Sequence, residues 1–253
     1  MGRFGLGEVD LLASLAALLH LDGPMVDVGA RWGTASVPFA KRGRRVLQFE
    51  PDPRNHPVLA SVRRFRRGIS TDFRAASDEA QESMTLYSSP GHTAISSLMP
   101  FDESHEAGVS VQVVTLDEAL AEHGLESVSV LKTDTEGHDL RTLRGLDLSG
   151  RYRPGLIMSE FDQGKVASGG HTFAELSGAL VSAGYRVLAS EWFPITAYGA
   201  SHRWRRITEV PCALADPMGH GNVIAIDEAH PKEPVDRATS AWADAMARAA
   251  SRK

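Results

Sequence analysis

Met25-Val26-Asp27-Val28-Gly29-Ala30-Arg31-Trp32-Gly33 opens as a short apolar run and passes at once into a small-residue turn. The run reads as a buried strand, and the amphipathic stretch that follows, Thr34 to Arg42, reads as a helix. A strand, a glycine turn and a helix start leave unpaired backbone N–H groups at the helix N-terminus, and glycine lets a bulky ligand lie against the main chain. A nucleotide-like ligand suits such a junction, although glycine turns also close strands in proteins that bind nothing. The turn has neither the G-x-G-x-x-G of a dinucleotide site nor the G-x-x-x-x-G-K-[ST] of a P-loop.

Working outward, Arg45-Val46-Leu47-Gln48-Phe49-Glu50 is a second apolar strand, ended by Pro51-Asp52-Pro53. Glu50 falls about 20 residues after the glycine turn, the spacing at which a carboxylate on the neighbouring strand tip accepts both hydroxyls of a ribose. Asn55 to Arg67 reads as a helix with a basic, solvated face. Asp72 to Asp78 reads as a third strand, which makes Ala76, Ser77 and Asp78 candidates for an adenine pocket. Upstream, Val9 to Leu19 reads as a helix that ends at the turn Asp22-Gly23-Pro24.

Met84 to Tyr87 and Val109 to Val114 read as short strands, and 88–108 between them as a long, lid-like loop carrying His92 and His105. Thr115, with Glu118 three residues on, begins a capped helix that runs to His123-Gly124. Val128 to Leu131 is a strand that runs into Lys132-Thr133-Asp134-Thr135-Glu136-Gly137-His138-Asp139. Alternation puts Asp134 and Glu136 on one side, so two carboxylates and an imidazole crowd one strand end. Repulsion and burial disfavour their ionisation, and the group calls for a cation, an amine or a proton.

Leu140 to Leu146 continues as a helix, and Leu156 to Asp162 is a strand tipped with Glu160 and Asp162. A helix over Thr172 to Ala183, closed by Gly184, leads to the strand Tyr185 to Ala189. The segment 191–206 combines Trp192, Phe193, Tyr198 and Trp204 with His202, Arg203, Arg205 and Arg206, suited to a carbohydrate or anionic groove or to packing on the sheet. Asn222 to Ile226 makes a last strand, followed by a linker and an alanine-rich helix from Ala238 to Ala250.

With 253 residues the chain suffices for one large α/β domain, and 42% hydrophobic with 23% charged residues argues against disorder. A net charge of -5 gives no electrostatic reason for a nucleic-acid partner. One cysteine, Cys212, excludes an internal disulfide framework and reads as a small hydrophobe beside a strand. No apolar run is long enough for a membrane span, and Glu8 and Asp10 at the head of the first helix argue against a signal peptide. A cytoplasmic location is the expectation. The expected partition is an N-terminal helix at 1–23, one domain at 24–228, and a linker with a tail helix at 229–253.

Alternating strands and helices imply a doubly wound, mostly parallel sheet. Val26-Asp27-Val28-Gly29-Ala30, Phe49-Glu50-Pro51-Asp52-Pro53, Ala75-Ala76-Ser77-Asp78, Thr115-Leu116-Asp117 and Leu131-Lys132-Thr133-Asp134-Thr135-Glu136-Gly137-His138-Asp139 resemble, in order and spacing, the FkbM family of S-adenosylmethionine-dependent methyltransferases. The resemblance covers about residues 24 to 162. It implies a class I Rossmann-like fold of about seven strands with helices on both faces. It also implies methylation of a hydroxyl on a sugar, a glycan or a macrocyclic natural product. Carried over by position, Asp27, Gly29, Ala30, Arg31 and Gly33 shape the methionine end of the cofactor site, with Asp134 beside them; Glu50 with Asp52 serves the ribose, and Ala76 to Asp78 flank adenine. This chain departs from the family at Arg31, usually Asn, at Thr133 and Thr135, usually aliphatic, and at Asp139, usually Glu.

Removal of the hydroxyl proton has two routes. In one, Asp134, Glu136, His138 or Glu160 acts as general base. In the other, Asp134 with Glu160 or Asp162 holds Mg²⁺. The metal-free route is preferred, because no third ligand is fixed in the sequence. Two other classes stay open: a nucleotide-dependent oxidoreductase on the same sheet, and a cofactor-binding homologue without catalysis.

Overall fold

The computed structural model describes residues 7–194 and 203–250. Tyr198 and His202 of the aromatic and basic segment lie outside the described residues, as does the side chain of His92. Helix α1 (Glu8–Leu18) leads to β1 (Met25–Val28), α2 (Ser36–Ala40), β2 (Val46–Phe49), α3 (His56–Phe65) and β3 (Ile69–Asp72). Strands β4 (Ala75–Ala76), β5 (Gln81–Ser89), β6 (His92–Ser97) and β7 (Glu106–Val114) follow. Then come α4 (Leu116–Glu122), β8 (Val130–Thr133), α5 (Asp139–Arg144), β9 (Leu156–Asp162) and a 3₁₀ turn over Gln163–Ser168. The described chain ends with α6 (Phe173–Ser182), β10 (Tyr185–Trp192), β11 (Trp204–Glu209), β12 (His220–Asp227) and α7 (Lys232–Ala250).

The main sheet runs β11-β10-β12-β9-β8-β1-β2-β3. Strands β9, β8, β1, β2 and β3 pair in parallel, while β12 lies antiparallel between β9 and β10. Seven of these strands make the doubly wound, class I Rossmann-like sheet, and the eighth, β11, is an added edge formed by the end of the aromatic and basic segment. Chain order reverses between β1 and β8, and such a switch point opens a crevice at the carboxyl ends of the strands.

Every residue of β1 is buried, as parallel strands covered on both faces require. Alternate side chains serve opposite layers. Val26, Val28, Leu47, Phe49, Leu131 and Ile157 pack under α4, α5 and α6, whereas Met25, Val46, Val130, Leu156 and Met158 pack under α1, α2 and α7. Helix α7 therefore belongs to the second layer and is no tail. It begins at Lys232 rather than Ala238, since Pro234 is tolerated in a first turn, and its Trp242 is fully buried against Trp204. Cys212 is half-buried and free, packed beside the first layer.

Two further expectations are corrected. Asp72 to Asp78 is not one strand: β3 stops at Asp72, whose carboxylate accepts from the Arg74 N–H at 3.0 Å and closes a turn that sends Ala75 and Ala76 to a second sheet. Residues 88–108 are not one long loop: they supply the end of β5, all of β6 and the start of β7 in that sheet, ordered β4-β7-β5-β6, with 98–105 left as an irregular connection. The alternation of β6 is carried by small polar residues around the buried Ile95, a weak apolar signal in the sequence. The capping box of α4 forms as expected, with Thr115 Oγ1 accepting from the Glu118 N–H.

Candidate active site

A cleft of about 680 Å³ opens at the crevice. Its floor is the carboxyl ends of β1, β2, β8 and β9; Ile95, Ser96 and Ser97 of β6 roof one part, and Glu8 of α1, Trp192 of β10 and Asn222 of β12 wall the other. The volume lies within the usual range for sites that enclose a cofactor-sized ligand.

At one end Glu50 is buried, its two oxygens accepting from the backbone N–H groups of Arg31 at 2.7 Å and Asp52 at 2.9 Å. Arg31 reaches this geometry with φ of +49°, a left-handed backbone that costs a non-glycine residue energy and here aims its N–H at the acid. Burial pushes the Glu50 carboxyl up to about 7. Gly29, with φ of +76°, passes so close to β8 that a Cβ would stand 1.9 Å from the Asp134 carbonyl oxygen. Gly33 does not line the cleft: it supports the turn from behind, donating its N–H to the Ala30 carbonyl at 2.7 Å.

Asp52 is also turned away. Its carboxylate is bound by Arg54 at 2.7 Å and by Ser96 Oγ at 2.6 Å, so it fastens the second sheet to β2, and only its N–H serves Glu50. Ala76 borders the cleft, whereas Ser77 and Asp78 lie behind it. Ser77 Oγ bonds Asp78 at 2.8 Å and His138 Nε2 at 2.8 Å, which ties the second sheet to the N-terminus of α5. Burial lowers the pKa of His138 and keeps the ring neutral. His105 in the expected lid is likewise bonded, its Nε2 lying 2.6 Å from the Ile95 carbonyl.

Asp27 sits at the centre, fully buried, with Oδ2 accepting from Ser36 Oγ at 2.6 Å while Oδ1 has no hydrogen-bond partner. Burial raises its pKa, and Lys132 Nζ at 3.9 Å opposes the rise. Arg31 Nε is likewise buried and unbonded, its guanidinium over the Trp32 ring. A lone acceptor and a lone donor bordering one cleft match the amine and the carboxylate of an amino-acid ligand. Glu50, with lone pairs left beyond its two backbone bonds, adds a further acceptor to the same cleft.

The expected crowding of acids is present, and two lysines organise it. Lys132 Nζ lies 3.1 Å from Asp134, an ion pair that lowers the Asp134 pKa against the effect of burial. Lys165, itself buried, reaches Glu136 at 2.6 Å, Glu160 at 3.1 Å and Asp162 at 3.6 Å. Burial and the neighbouring acids raise Glu136 and hold Glu160 well above the ordinary carboxylate range. Glu136 takes φ of +56° before Gly137, a left-handed pair of residues that turns its side chain to Lys165. Asp134, Glu136 and Glu160 have oxygens within 4.8 Å of one another, the one such trio among the described residues. Trp192 lines the cleft, in keeping with the groove reading of 191–206, and Lys132 lies in the block around Asp134, though the sequence assigns neither a role; Glu8 and Lys165 were not expected at the site, and nothing in the sequence marks them.

The model of the methyltransferase FkbM domain matches residues 27–187, well over half of the chain. The protein belongs to the FkbM methyltransferase family. No curated protein sequence matches it. Among solved structures it is similar to a precorrin-6y C5,15-methyltransferase from Geobacter metallireducens GS-15, at 11% identity and a TM-score of 0.44 over 90% of this chain and 93% of the other. A putative O-methyltransferase from Klebsiella pneumoniae gives 12% identity and a TM-score of 0.44 over 90% and 84%. Magnesium protoporphyrin IX methyltransferase from Synechocystis PCC 6803 gives 10% identity and 0.43 over 90% and 87%. Among the described residues no helix is long and apolar enough to cross a membrane.

Proposed function

We propose that this protein transfers the methyl group of S-adenosylmethionine to a hydroxyl oxygen of a sugar, a glycan or a macrocyclic natural product. The observation that carries this reading is the lysine-bound trio Asp134, Glu136 and Glu160 next to the unbonded Asp27 Oδ1 and Arg31 Nε. Asp27 Oδ1 accepts the cofactor's amine, Arg31 meets its carboxylate, Glu50 takes the ribose hydroxyls, and Ala76 borders the adenine side with Ser77, Asp78 and His138 behind it.

The bound cofactor supplies an electrophilic methyl on a sulfonium. The protein's part is to aim a hydroxyl along the displacement axis and to remove its proton. Glu160 is the base in this reading. Asp134 is held ionised by Lys132, and His138 is neutral and bonded to Ser77, whereas burial and the neighbouring acids hold Glu160 well above the ordinary carboxylate value, which strengthens it as a proton acceptor. Lys165 gives the trio its positive charge, so the reaction runs without Mg²⁺. Turnover unaffected by EDTA is expected; loss of turnover restored by Mg²⁺ would overturn the metal-free route.

The test uses S-adenosylmethionine labelled with ¹³C at the methyl and a panel of sugars, oligosaccharides and macrolactones. Release of S-adenosylhomocysteine reports turnover, and the product's methyl carbon shift reports the atom methylated. An O-methyl product supports the proposal, and an N- or C-methyl product would overturn it. Glu160→Gln should lower kcat at least ~100-fold with unchanged S-adenosylhomocysteine affinity; full activity would place the base elsewhere.

A further inference from the structure

Glu8 enters the cleft from α1, while Trp192 and Asn222 enter it from the ends of β10 and β12. All three lie outside the stretch that matches the family model. Three elements far apart in the chain thus set a carboxylate, an indole and a carboxamide together. Trp192 Nε1 donates to Glu8 Oε1, and Asn222 adds a further side-chain hydrogen bond to the same carboxyl.

Those bonds orient Glu8 but do not neutralise it. Among the described residues no cationic side chain forms an ion pair with Glu8. Lys132, the nearest positive influence, is engaged with Asp134 and Asp27, and Lys165 is shared among Glu136, Glu160 and Asp162. The far end of the cleft therefore carries more carboxylates than its lysines balance, and the cofactor's amine is taken by Asp27. Burial has pushed the Glu8 carboxyl up to about 7, the usual response of a buried acid that lacks a cation. A buried carboxylate fixed by an indole N–H and short of a cation, with that indole lining the same cleft, is the chemistry that receives an ammonium group.

We propose that Glu8 and Trp192 form an ammonium subsite, so that the molecule whose hydroxyl is methylated also carries a protonated amine. This rests on the reading of the cleft as an O-methyltransferase site. Glu8 selects amino-bearing acceptors over neutral ones, and the acid surplus rejects anionic ones. Because α1 supplies the selecting group, acceptor choice lies outside the part of the chain that binds the cofactor.

The experiment is calorimetry on protein saturated with S-adenosylhomocysteine, titrated with the methyl glycosides of glucosamine, glucose and glucuronic acid at pH 7.5 (about one unit above a free imidazole). The glucosamine probe is expected to bind at least ~10-fold tighter than the glucose probe, with no detectable binding of the glucuronic acid probe. Glu8→Gln, which keeps the bond from Trp192, should abolish the preference without changing S-adenosylhomocysteine affinity. Trp192→Phe should weaken the glucosamine probe several-fold. Equal or absent binding of the probes by the wild type, or a preference that survives in Glu8→Gln, overturns the subsite alone. Failure of the wild type to bind S-adenosylhomocysteine overturns the cofactor assignment and the subsite with it.

Discussion

At Glu50 two backbone N–H groups converge on one side chain, each on its own oxygen. Such a carboxylate is fixed in direction, and its remaining lone pairs are left for a guest. Glu50→Ala should weaken S-adenosylhomocysteine binding by at least ~10-fold, or about 1.4 kcal/mol. Glu50→Gln should also weaken it, despite equal size, because its NH₂ must face either the Arg31 or the Asp52 N–H, donor against donor. Calorimetry on both variants checks this; wild-type affinity in the glutamine variant would show that only shape matters there. Arg31 acts through two atoms. Its N–H holds Glu50 while its Nε is buried and unbonded, so the departure from the family's usual asparagine keeps the backbone bond and replaces a neutral side-chain donor with a cationic one.

Among the elements, the junction of β1 and α2 carries the tightest geometric demand. Gly29 and Gly43 share nearly the same φ, +76° and +78°, but only Gly29 has a carbonyl where a Cβ would go. Gly43→Ala should therefore cost only the left-handed strain, about 1 kcal/mol. Gly29→Ala adds a clash with β8 and should lose measurable S-adenosylhomocysteine binding and several degrees of melting temperature. Equal effects of the two would mean that the strand spacing relaxes freely. This junction was legible in the sequence because its signals are local: an apolar run, glycines, and an acid one strand away. Glu136, Asp134 and Glu160 were legible for the same reason, as acids at strand ends. Lys165 and Glu8 were not, since each reaches the site through contacts between elements that no periodicity records. The hairpin at 88–97 escaped because small polar residues alternate around Ile95 with little apolar contrast, and the turn at Asp72 because Ala75 and Ala76 extend the apolar run past the point where the chain changes sheets.

In the whole molecule, the two helices at its ends complete one face of the sheet, and α1 then reaches the cleft with Glu8. Trp242 of α7 is fully buried in that layer, so Trp242→Ala should cost about 3–5 kcal/mol in urea unfolding; a loss under ~1 kcal/mol would mean that α7 rests on the sheet without supporting it. The same body stores negative charge in its cleft, which sets the sign of its response to pH. Burial raises Glu8 and Glu50 from 4.5 to about 7, and raises Glu136 and Glu160 as well. Between pH 4.5 and 7 the unfolded chain has lost the protons of Glu8 and Glu50 while the folded protein keeps them, and Glu136 and Glu160 act in the same direction, so the folded state binds more protons and stability falls as pH rises. For Glu50 alone the effect reaches about 3 kcal/mol. His138, with its pKa lowered, opposes this below its unfolded value of 6.5, but it is one group against these four and Asp27, whose pKa burial also raises. Asp52 and Asp72, with pKa values lowered, act only in more acidic solution, where their contribution is lost. The ligand-free protein should therefore melt at a lower temperature at pH 7.5 than at pH 5.5, and Glu8→Gln, which removes one of the titrating groups, should make the decline shallower. A melting temperature that is flat or rises across that interval would mean that burial does not raise these acids in the folded protein, and that Glu8 is an ordinary solvated carboxylate rather than a buried acid short of a cation.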